Sequence, residues 1–256
     1  MPEISNLSML TVIIFVLIPV SLSYLYSLGI AKTTIWSSLR GIIQLILIGY
    51  VLTFLFEITD WIAVTLAVLV MISAASWQAG QRGKGIKNAF LVTFTVLAII
   101  EGLVLILWIG FNIIPFESQQ VIPMSGMVIG NSMVASALAL ERLKNDFSVH
   151  KGKVLAALSL GATPPKAANI IIRNTIKAAM IPSIDGLKTI GLVQLPGMMT
   201  GLIIGGASPI EAIRYQIVIS LSIFASVSLT SMFVSAIAYR SFFNKDMQLV
   251  EIKEND

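Results

Sequence analysis

The placement of basic residues along an apolar chain constrains this fold more than any other feature. All Lys and Arg residues except Arg214 fall in segments that would share one side of a membrane, and long apolar stretches separate those segments. Only 12% of the 256 residues are charged, whereas soluble proteins carry about 25%. The chain is therefore predicted to be an all-α membrane protein that crosses the bilayer several times.

Seven apolar stretches are long enough to cross a bilayer, which requires about 20 residues. Because cytoplasmic connections carry the excess of Lys and Arg, the N-terminus is placed outside and the C-terminus in the cytoplasm. Residues 1–256 are predicted to form a single transmembrane domain with one long cytoplasmic loop at about 141–188. The predicted spans are 7–28, 39–56, 61–79, 89–111, 121–140, 189–206 and 213–239.

Several function classes are disfavoured by what the sequence lacks. There is no cysteine, so neither a disulfide framework nor a thiolate metal site can form. The string GQRGKG at residues 80–85 lacks the spacing of a phosphate-binding loop, so the chain is not expected to hydrolyse ATP alone. No nucleic-acid partner is expected, because the basic residues are explained by membrane topology.

The long loop contains a pattern of its own. Residues 154–160 (VLAALSL) predict a short helix that ends at Gly161, as helices commonly end at a C′ glycine. Thr163 suits the N-cap of a second helix, and Pro164 and Pro165 suit its first turn. A helix–glycine–helix loop at a membrane surface suits docking into a groove of another protein. The alternative is an amphipathic helix that rests on anionic lipid.

Three stretches carry a family resemblance. The string AALSLGATPPKA (residues 156–167) resembles the EAA-type loop of ABC-transporter permeases, with Leu155 where that motif usually has Glu. The strings MSGMVIGNSMVASALALERL (124–143) and LPGMMTGLIIGGASPIEAIRYQ (195–216) extend the likeness. Together they resemble the FetB-type permeases, a family linked to bacterial iron export and to plant aluminium tolerance.

This resemblance implies the permease subunit of an ABC transporter in the bacterial plasma (inner) membrane. Two copies would work on two separate cytoplasmic ATPase subunits, which would bind ATP and Mg²⁺. This chain would bind no cofactor and would not itself be an enzyme, and its cargo would be a metal ion, iron, moved outward. The residues implied in ATPase contact are Leu155, Ala156, Ala157, Gly161, Ala162, Thr163 and Pro164.

Glu101 lies near the middle of the fourth predicted span. An ionised carboxylate at a helix centre costs about 2.5–3.5 kcal/mol on insertion scales, so such a residue marks a functional site by default. The alternative is a protonated, structural Glu that bonds to Asn131 or to a backbone carbonyl. Asn131, in the fifth span, is the predicted polar partner.

Met127, Met198 and Met199 complete the candidate translocation pathway with Glu101 and Asn131. Thioethers suit copper(I) better than iron(II), which prefers imidazole and carboxylate ligands. Methionine also fills gaps in apolar cores, so no metal ligand set is assigned.

Asp185 and Lys188, spaced three residues apart, are predicted to pair along a helix. Glu141 and Asp146 are candidates for the charge that Leu155 does not supply.

Three alternative functions follow from the same residues. The chain could be a secondary carrier that works without ATP and uses Glu101 as a proton relay. It could be a structural or assembly subunit with no pathway of its own. It could also be an ABC permease for a non-metal cargo such as a nucleotide sugar, to which plant proteins of this type have been linked.

Overall fold

The computed structural model describes residues 11–57 and 60–250, and these residues form α-helices joined by short connections. They divide into two compact units, one within residues 11–57 and the other within residues 60–250. The first unit is a pair of packed helices, α1 (Ile14–Leu25) and α2 (Ala31–Glu57).

The second unit contains eight helices and a terminal 3-10 turn among its described residues. They are α3 (Trp61–Arg82), α4 (Ala89–Gly110), α5 (Ser118–Val149), α6 (Lys151–Ser159), α7 (Pro164–Ala167), α8 (Asn169–Thr189), α9 (Gly197–Ile204), α10 (Pro209–Ala238) and the turn Tyr239–Phe242.

Local sequence explains where two of the long helices begin. The Asp60 side chain caps α3 by accepting from the Ile62 backbone N–H at 3.1 Å. At α10, Ser208 accepts from the backbone N–H of Glu211, and Pro209 occupies the first helical position. Asp and Ser are favoured before a helix because their side chains accept from free N–H groups of the first turn. Pro is favoured at the first helical position because it has no N–H to satisfy.

Helix α5 is the centre of the second unit, and it packs against α3, α4, α8 and α10. Its 32 residues span about 48 Å at 1.5 Å per residue. The hydrocarbon core of a bilayer is only about 30 Å thick. One part of α5 therefore extends well beyond the apolar layer.

The second unit has two different ends, an elbow end and a cavity end. At the elbow end, α5 and α10 finish beside α6, and Phe147 stacks on Phe242 with ring centroids 4.0 Å apart. The Ser241 hydroxyl there donates to the Lys87 carbonyl at 3.3 Å. At the cavity end, α5 and α10 begin beside the short helix α9, around two cavities.

The structure confirms five of the predicted spans as helices long and apolar enough to cross a membrane. These are α2, α3, α4, α5 and α10. The first predicted span, 7–28, lies partly outside the described residues, and the part that is described contains α1, with only 12 residues. The total of seven spans stays a prediction.

The sixth predicted span, 189–206, is wrong as a single helix. Residues 190–196 are not helical, and α9 has only 8 residues, about 12 Å at 1.5 Å per residue. Pro196 disfavours a helical conformation at the residue before it, and Gly191 takes a left-handed conformation with φ +80°. High hydropathy therefore does not produce a continuous helix here.

Within the predicted loop 141–188, long helices occupy both ends. Helix α5 continues to Val149, and α8 occupies Asn169–Thr189. Helix α8 also packs against α5 and α10, burying Ile171, Thr175 and Ala179. The connection outside these long helices is residues 150–168.

Candidate functional site

The first candidate site is the coupling elbow, defined as residues 151–165. Helix α6 ends with a complete Schellman motif, in which the Gly161 N–H donates to the Leu158 carbonyl and the Ala162 N–H donates to the Ala157 carbonyl. Gly161 has φ +85°, a left-handed conformation that glycine adopts without strain. The predicted helix end at Gly161 is confirmed.

The second half of the elbow follows the predicted pattern in part. Thr163 is the N-cap of α7 and Pro164 and Pro165 occupy its first positions, although the Thr163 side chain makes no capping hydrogen bond. Helix α7 has only 4 residues before Ala168 separates it from α8. Two helices therefore replace the single one that was expected.

The elbow presents apolar side chains away from the bundle. Leu160 is 89% exposed and Leu155 is 42% exposed, whereas Val154 is only 2% exposed. Val154 belongs to the same buried cluster as Phe147 and Phe242. One side of α6 is thus fixed to the helix ends while the other side is free to contact a partner.

Most residues implied in ATPase contact lie on the accessible side of this elbow. Ala156, Gly161 and Thr163 are exposed, and Ala157, Ala162 and Pro164 are half-buried. The carboxylates proposed to replace the missing charge are engaged elsewhere. Glu141 pairs with Arg82 at 3.4 Å, and Asp146 pairs with Arg142 on α5 at 3.2 Å.

The second candidate site is the methionine cavity, a space of about 430 Å³ at the cavity end. It lies between the beginnings of α5 and α10 and the side of α9. Met127 and Met198 both line it, so the structure brings together two of the predicted pathway residues. Met124, Gln120 and Tyr215 also line it.

Met199 and Asn131 do not line this cavity. Met199 lines a neighbouring apolar cavity of about 390 Å³, together with Leu187 and Ile217. Asn131 is exposed, and its side-chain amide donates to the Met127 carbonyl one turn earlier at 2.7 Å. Asn131 therefore shares the exposed face of α5 with Met127.

Glu101 lies elsewhere, enclosed inside the second unit. It is 2% exposed, and neither carboxyl oxygen forms a hydrogen bond to another described residue. The Ser125 hydroxyl of α5 is close enough to act on this carboxyl. The expected hydrogen bond from Glu101 to Asn131 is not formed, because Asn131 is exposed whereas Glu101 is buried, and the Asn131 amide bonds within its own helix.

Sequence reasoning did not single out Gln120 and Tyr215 as residues of the methionine cavity. A signal existed for Gln120, which lies seven residues before Met127 and therefore on the same face of a helix. Tyr215 gave no comparable signal, because its position depends on how α10 packs beside α5. The Asp185–Lys188 pair was predicted, and it is confirmed at 3.0 Å.

Comparison with known proteins establishes the family. The profile of the uncharacterised protein family UPF0014 matches residues 6–243. The chain belongs to the UPF0014 family. The resemblance to the FetB-type permeases is thereby confirmed, as is the assignment to a membrane protein family. No solved structure matches the chain.

Relatives in this family cover nearly the whole chain. The chain is 39% identical over 248 residues to "Probable iron export permease protein FetB" of Escherichia coli K12, covering 97% of this chain and 96% of that protein. It is 41% identical over 250 residues to "UPF0014 membrane protein YjkA" of Bacillus subtilis 168, covering 98% and 99%. It is 36% identical over 239 residues to "Protein ALUMINUM SENSITIVE 3" of Arabidopsis thaliana, covering 93% and 87%.

Proposed function

We propose that this UPF0014 protein is the permease subunit of an ABC transporter, and that the coupling elbow is the surface on which its ATPase acts. The observation that carries the proposal is the contrast between Leu160, almost fully exposed at the tip, and Val154, buried among the helix ends. A force applied to the tip would pass directly into α5 and α10. The permease name of the Escherichia coli relative supports the same function.

The elbow faces the cytoplasm in this proposal, and the membrane is the bacterial plasma (inner) membrane. Helix α8 then provides the sixth crossing in place of residues 189–206. It runs from the elbow end, where Ala168 and Ile171 join the buried cluster, to the cavity end, where Leu187 lines the apolar cavity. Lys188 then joins Arg214 on the outer side, and the remaining basic residues still favour a cytoplasmic elbow.

The partner is a separate cytoplasmic ABC ATPase, which supplies the ATP and Mg²⁺ sites. Exposed leucine and alanine side chains around a fixed glycine turn suit a shallow apolar cleft on such a partner. Helix-in-groove docking of this kind uses a few apolar anchors on one helix face. Leu155 and Leu160 are the anchors proposed here.

A second copy of the chain completes the pathway in this proposal. Asn131 exposes an amide in the apolar part of α5, and lipid cannot satisfy its remaining hydrogen-bonding groups. Polar side chains of this type bond across helix–helix contacts in membranes. Two α5 helices meeting at Asn131 would place Met127 and the methionine cavities of both copies along one path.

The cargo in this proposal is iron, exported from the cell, by transfer from the name of the Escherichia coli relative. The cavity itself offers thioether, amide and phenol groups and no carboxylate among the residues that line it. Thioethers are poor ligands for iron(II), which prefers imidazole and carboxylate, so the cavity would hold the ion only weakly, as a site that must release its cargo requires. A nucleotide sugar is the competing cargo.

The test is purification of the intact complex from its native membrane. An ATPase that carries a phosphate-binding loop should co-purify. After reconstitution into lipid vesicles, its ATP hydrolysis should rise with iron(II), but not with a nucleotide sugar. Transport that continues without ATP and stops with an uncoupler would instead establish the secondary carrier.

The contact between two copies is tested separately by cysteine cross-linking. The chain has no native cysteine, so a single introduced cysteine reports one position. Asn131→Cys should form cross-linked dimers under oxidation in the membrane. Ile106→Cys, on α4 and 71% exposed, is the matched control and should stay monomeric. Equal cross-linking of the two variants would contradict the proposed contact.

A further inference from the structure

Glu101 is the group in the described chain that the proposed function leaves unexplained. Its side chain is buried near the middle of α4, and both carboxyl oxygens lack hydrogen-bond partners among the residues described. Buried polar groups in folded proteins are almost always bonded. A carboxyl that is enclosed and unbonded in this way needs a partner that the neighbouring side chains do not supply.

The helices around Glu101 supply no charge to balance a carboxylate. Helix α4 packs against α3, α5 and α10. Their bilayer-depth segments, 61–81, 118–140 and 215–238, contain no Asp, Glu, Lys, Arg or His. The Ser125 hydroxyl lies close enough to act on the carboxyl, but the two groups do not reach hydrogen-bond geometry. An ionised carboxylate here would be unpaired in an apolar interior, so a bound proton is the simplest way to neutralise it.

The same three helices carry further buried hydroxyls that lack partners. A hydroxyl can both donate and accept a hydrogen bond and can rotate between the two roles. A hydroxyl close to a carboxyl, such as Ser125 beside Glu101, is therefore suited to passing a proton. The buried hydroxyls without a hydrogen-bond partner in the described structure include Ser76, Ser125, Ser132, Ser226 and Thr230.

This polar interior is separate from the methionine cavity. Glu101 lines neither of the two cavities at the cavity end. Helix α5 lies between the two features, with Ser125 on its buried side and Met127 on its more exposed side. At about 100° per residue, Ser125 and Met127, which are two residues apart, lie about 200° apart around α5 and point in nearly opposite directions.

We infer that the Glu101 carboxyl, facing Ser125, is a proton-binding site enclosed within each copy of the chain. The proton enters and leaves when α4 and α5 separate during transport. The site is distinct from the cargo path, and it binds a proton whether the transporter is driven by ATP or by an ion gradient.

Labelling with dicyclohexylcarbodiimide tests whether the carboxyl carries a proton. This apolar reagent takes the carboxyl proton onto one nitrogen while the carboxyl oxygen bonds to its central carbon. The acyl group then migrates to nitrogen and gives a stable N-acylurea, without loss of any atom. Labelling of the full-length chain in lipid vesicles should modify Glu101, as shown by peptide mass mapping.

Two variants make the labelling specific. Glu101→Gln should abolish it, whereas Glu141→Gln should not change it, because Glu141 is ion-paired with Arg82 outside the apolar interior. An unlabelled Glu101 in the wild-type chain would overturn the inference. This measurement needs no ATPase and is therefore independent of the proposed function.

A transport measurement distinguishes a working proton site from a structural carboxyl, and this part rests on the proposed function. Iron(II) export by the wild-type chain should vary with pH. Glu101→Gln, which keeps the shape of the side chain but cannot exchange a proton, should lose that variation together with most of the flux, and Glu101→Asp should retain it. A Gln variant with wild-type flux and pH profile would overturn the inference, whereas a wild-type chain that exports no iron(II) would count against the proposed cargo alone.

Discussion

The elbow end and the cavity end of the second unit are built in opposite ways. At the elbow end, α4, α5, α6, α8 and α10 contribute to one buried cluster around the Phe147–Phe242 stack. At the cavity end, an 8-residue helix and a non-helical turn border two cavities. Closely packed side chains pass a displacement on to their neighbours, whereas helices beside a cavity have room to move. In the proposed function, force enters at the closely packed elbow end and the path opens at the cavity end.

Gly161→Pro, at the elbow end, should have the largest effect, which is a loss of coupling to the ATPase. Proline fixes φ near −65° and removes the N–H, whereas Gly161 has φ +85° and donates to Leu158. The variant should insert into the membrane normally but fail to bind its ATPase or stimulate ATP hydrolysis. The measurements are co-purification and ATPase activity.

Gly152→Ala is the matched control for that variant. Gly152 lies within α6, and a Cβ added there meets no neighbouring atom within 4 Å. Alanine should therefore preserve coupling. Normal coupling by Gly161→Pro would remove the elbow from the mechanism.

Phe147→Ala should cause the next largest effect, this time on stability. Phe147 is 3% exposed and stacked on Phe242. Truncation of a buried Phe to Ala costs about 3–5 kcal/mol. Leu195→Ala, at the cavity end and 64% exposed, should change stability by less than about 0.5 kcal/mol. Chemical unfolding in detergent measures both, and similar losses would show that the two ends are packed alike.

Lys188→Ala should have the smallest effect. Its ion pair with Asp185 lies on an exposed helix surface at the cavity end, with both side chains more than half exposed. Exposed pairs of this spacing contribute about 0.2–0.5 kcal/mol. Thermal unfolding should barely shift and transport should persist. A loss of transport with unchanged stability would instead assign Lys188 to the cargo path.

Much of the helix pattern could be predicted because hydropathy depends on residues that are close together along the chain. The predicted starts of α3 and α4, at Trp61 and Ala89, agree with the structure. The turn at Gly161 was also predictable. Glycine favours the end of one helix, and the Thr-Pro-Pro at residues 163–165 favours the start of the next. These features depend on a few neighbouring residues and not on distant contacts.

The errors arose where tertiary packing decides the outcome. Helix α8 carries Arg173, Lys177, Asp185 and Lys188, which lowered its hydropathy, but its apolar face packs against α5 and α10. The pairing of Glu101 with Asn131 failed because α4 is apolar on nearly every side, with only Thr93 and Thr95 as other polar residues before Glu101. Its sequence therefore does not show which way that residue turns.

Single-cysteine labelling at the two ends tests the central claim most directly, because the native chain has no cysteine. Leu160 at the elbow is 89% exposed and Leu192 at the cavity end is 88% exposed, so the two sites are matched in accessibility. A membrane-impermeant maleimide should label Leu192→Cys in intact cells, and should label Leu160→Cys only after the membrane is opened. Labelling of Leu160→Cys in intact cells would place the elbow outside, where no ATPase could reach it.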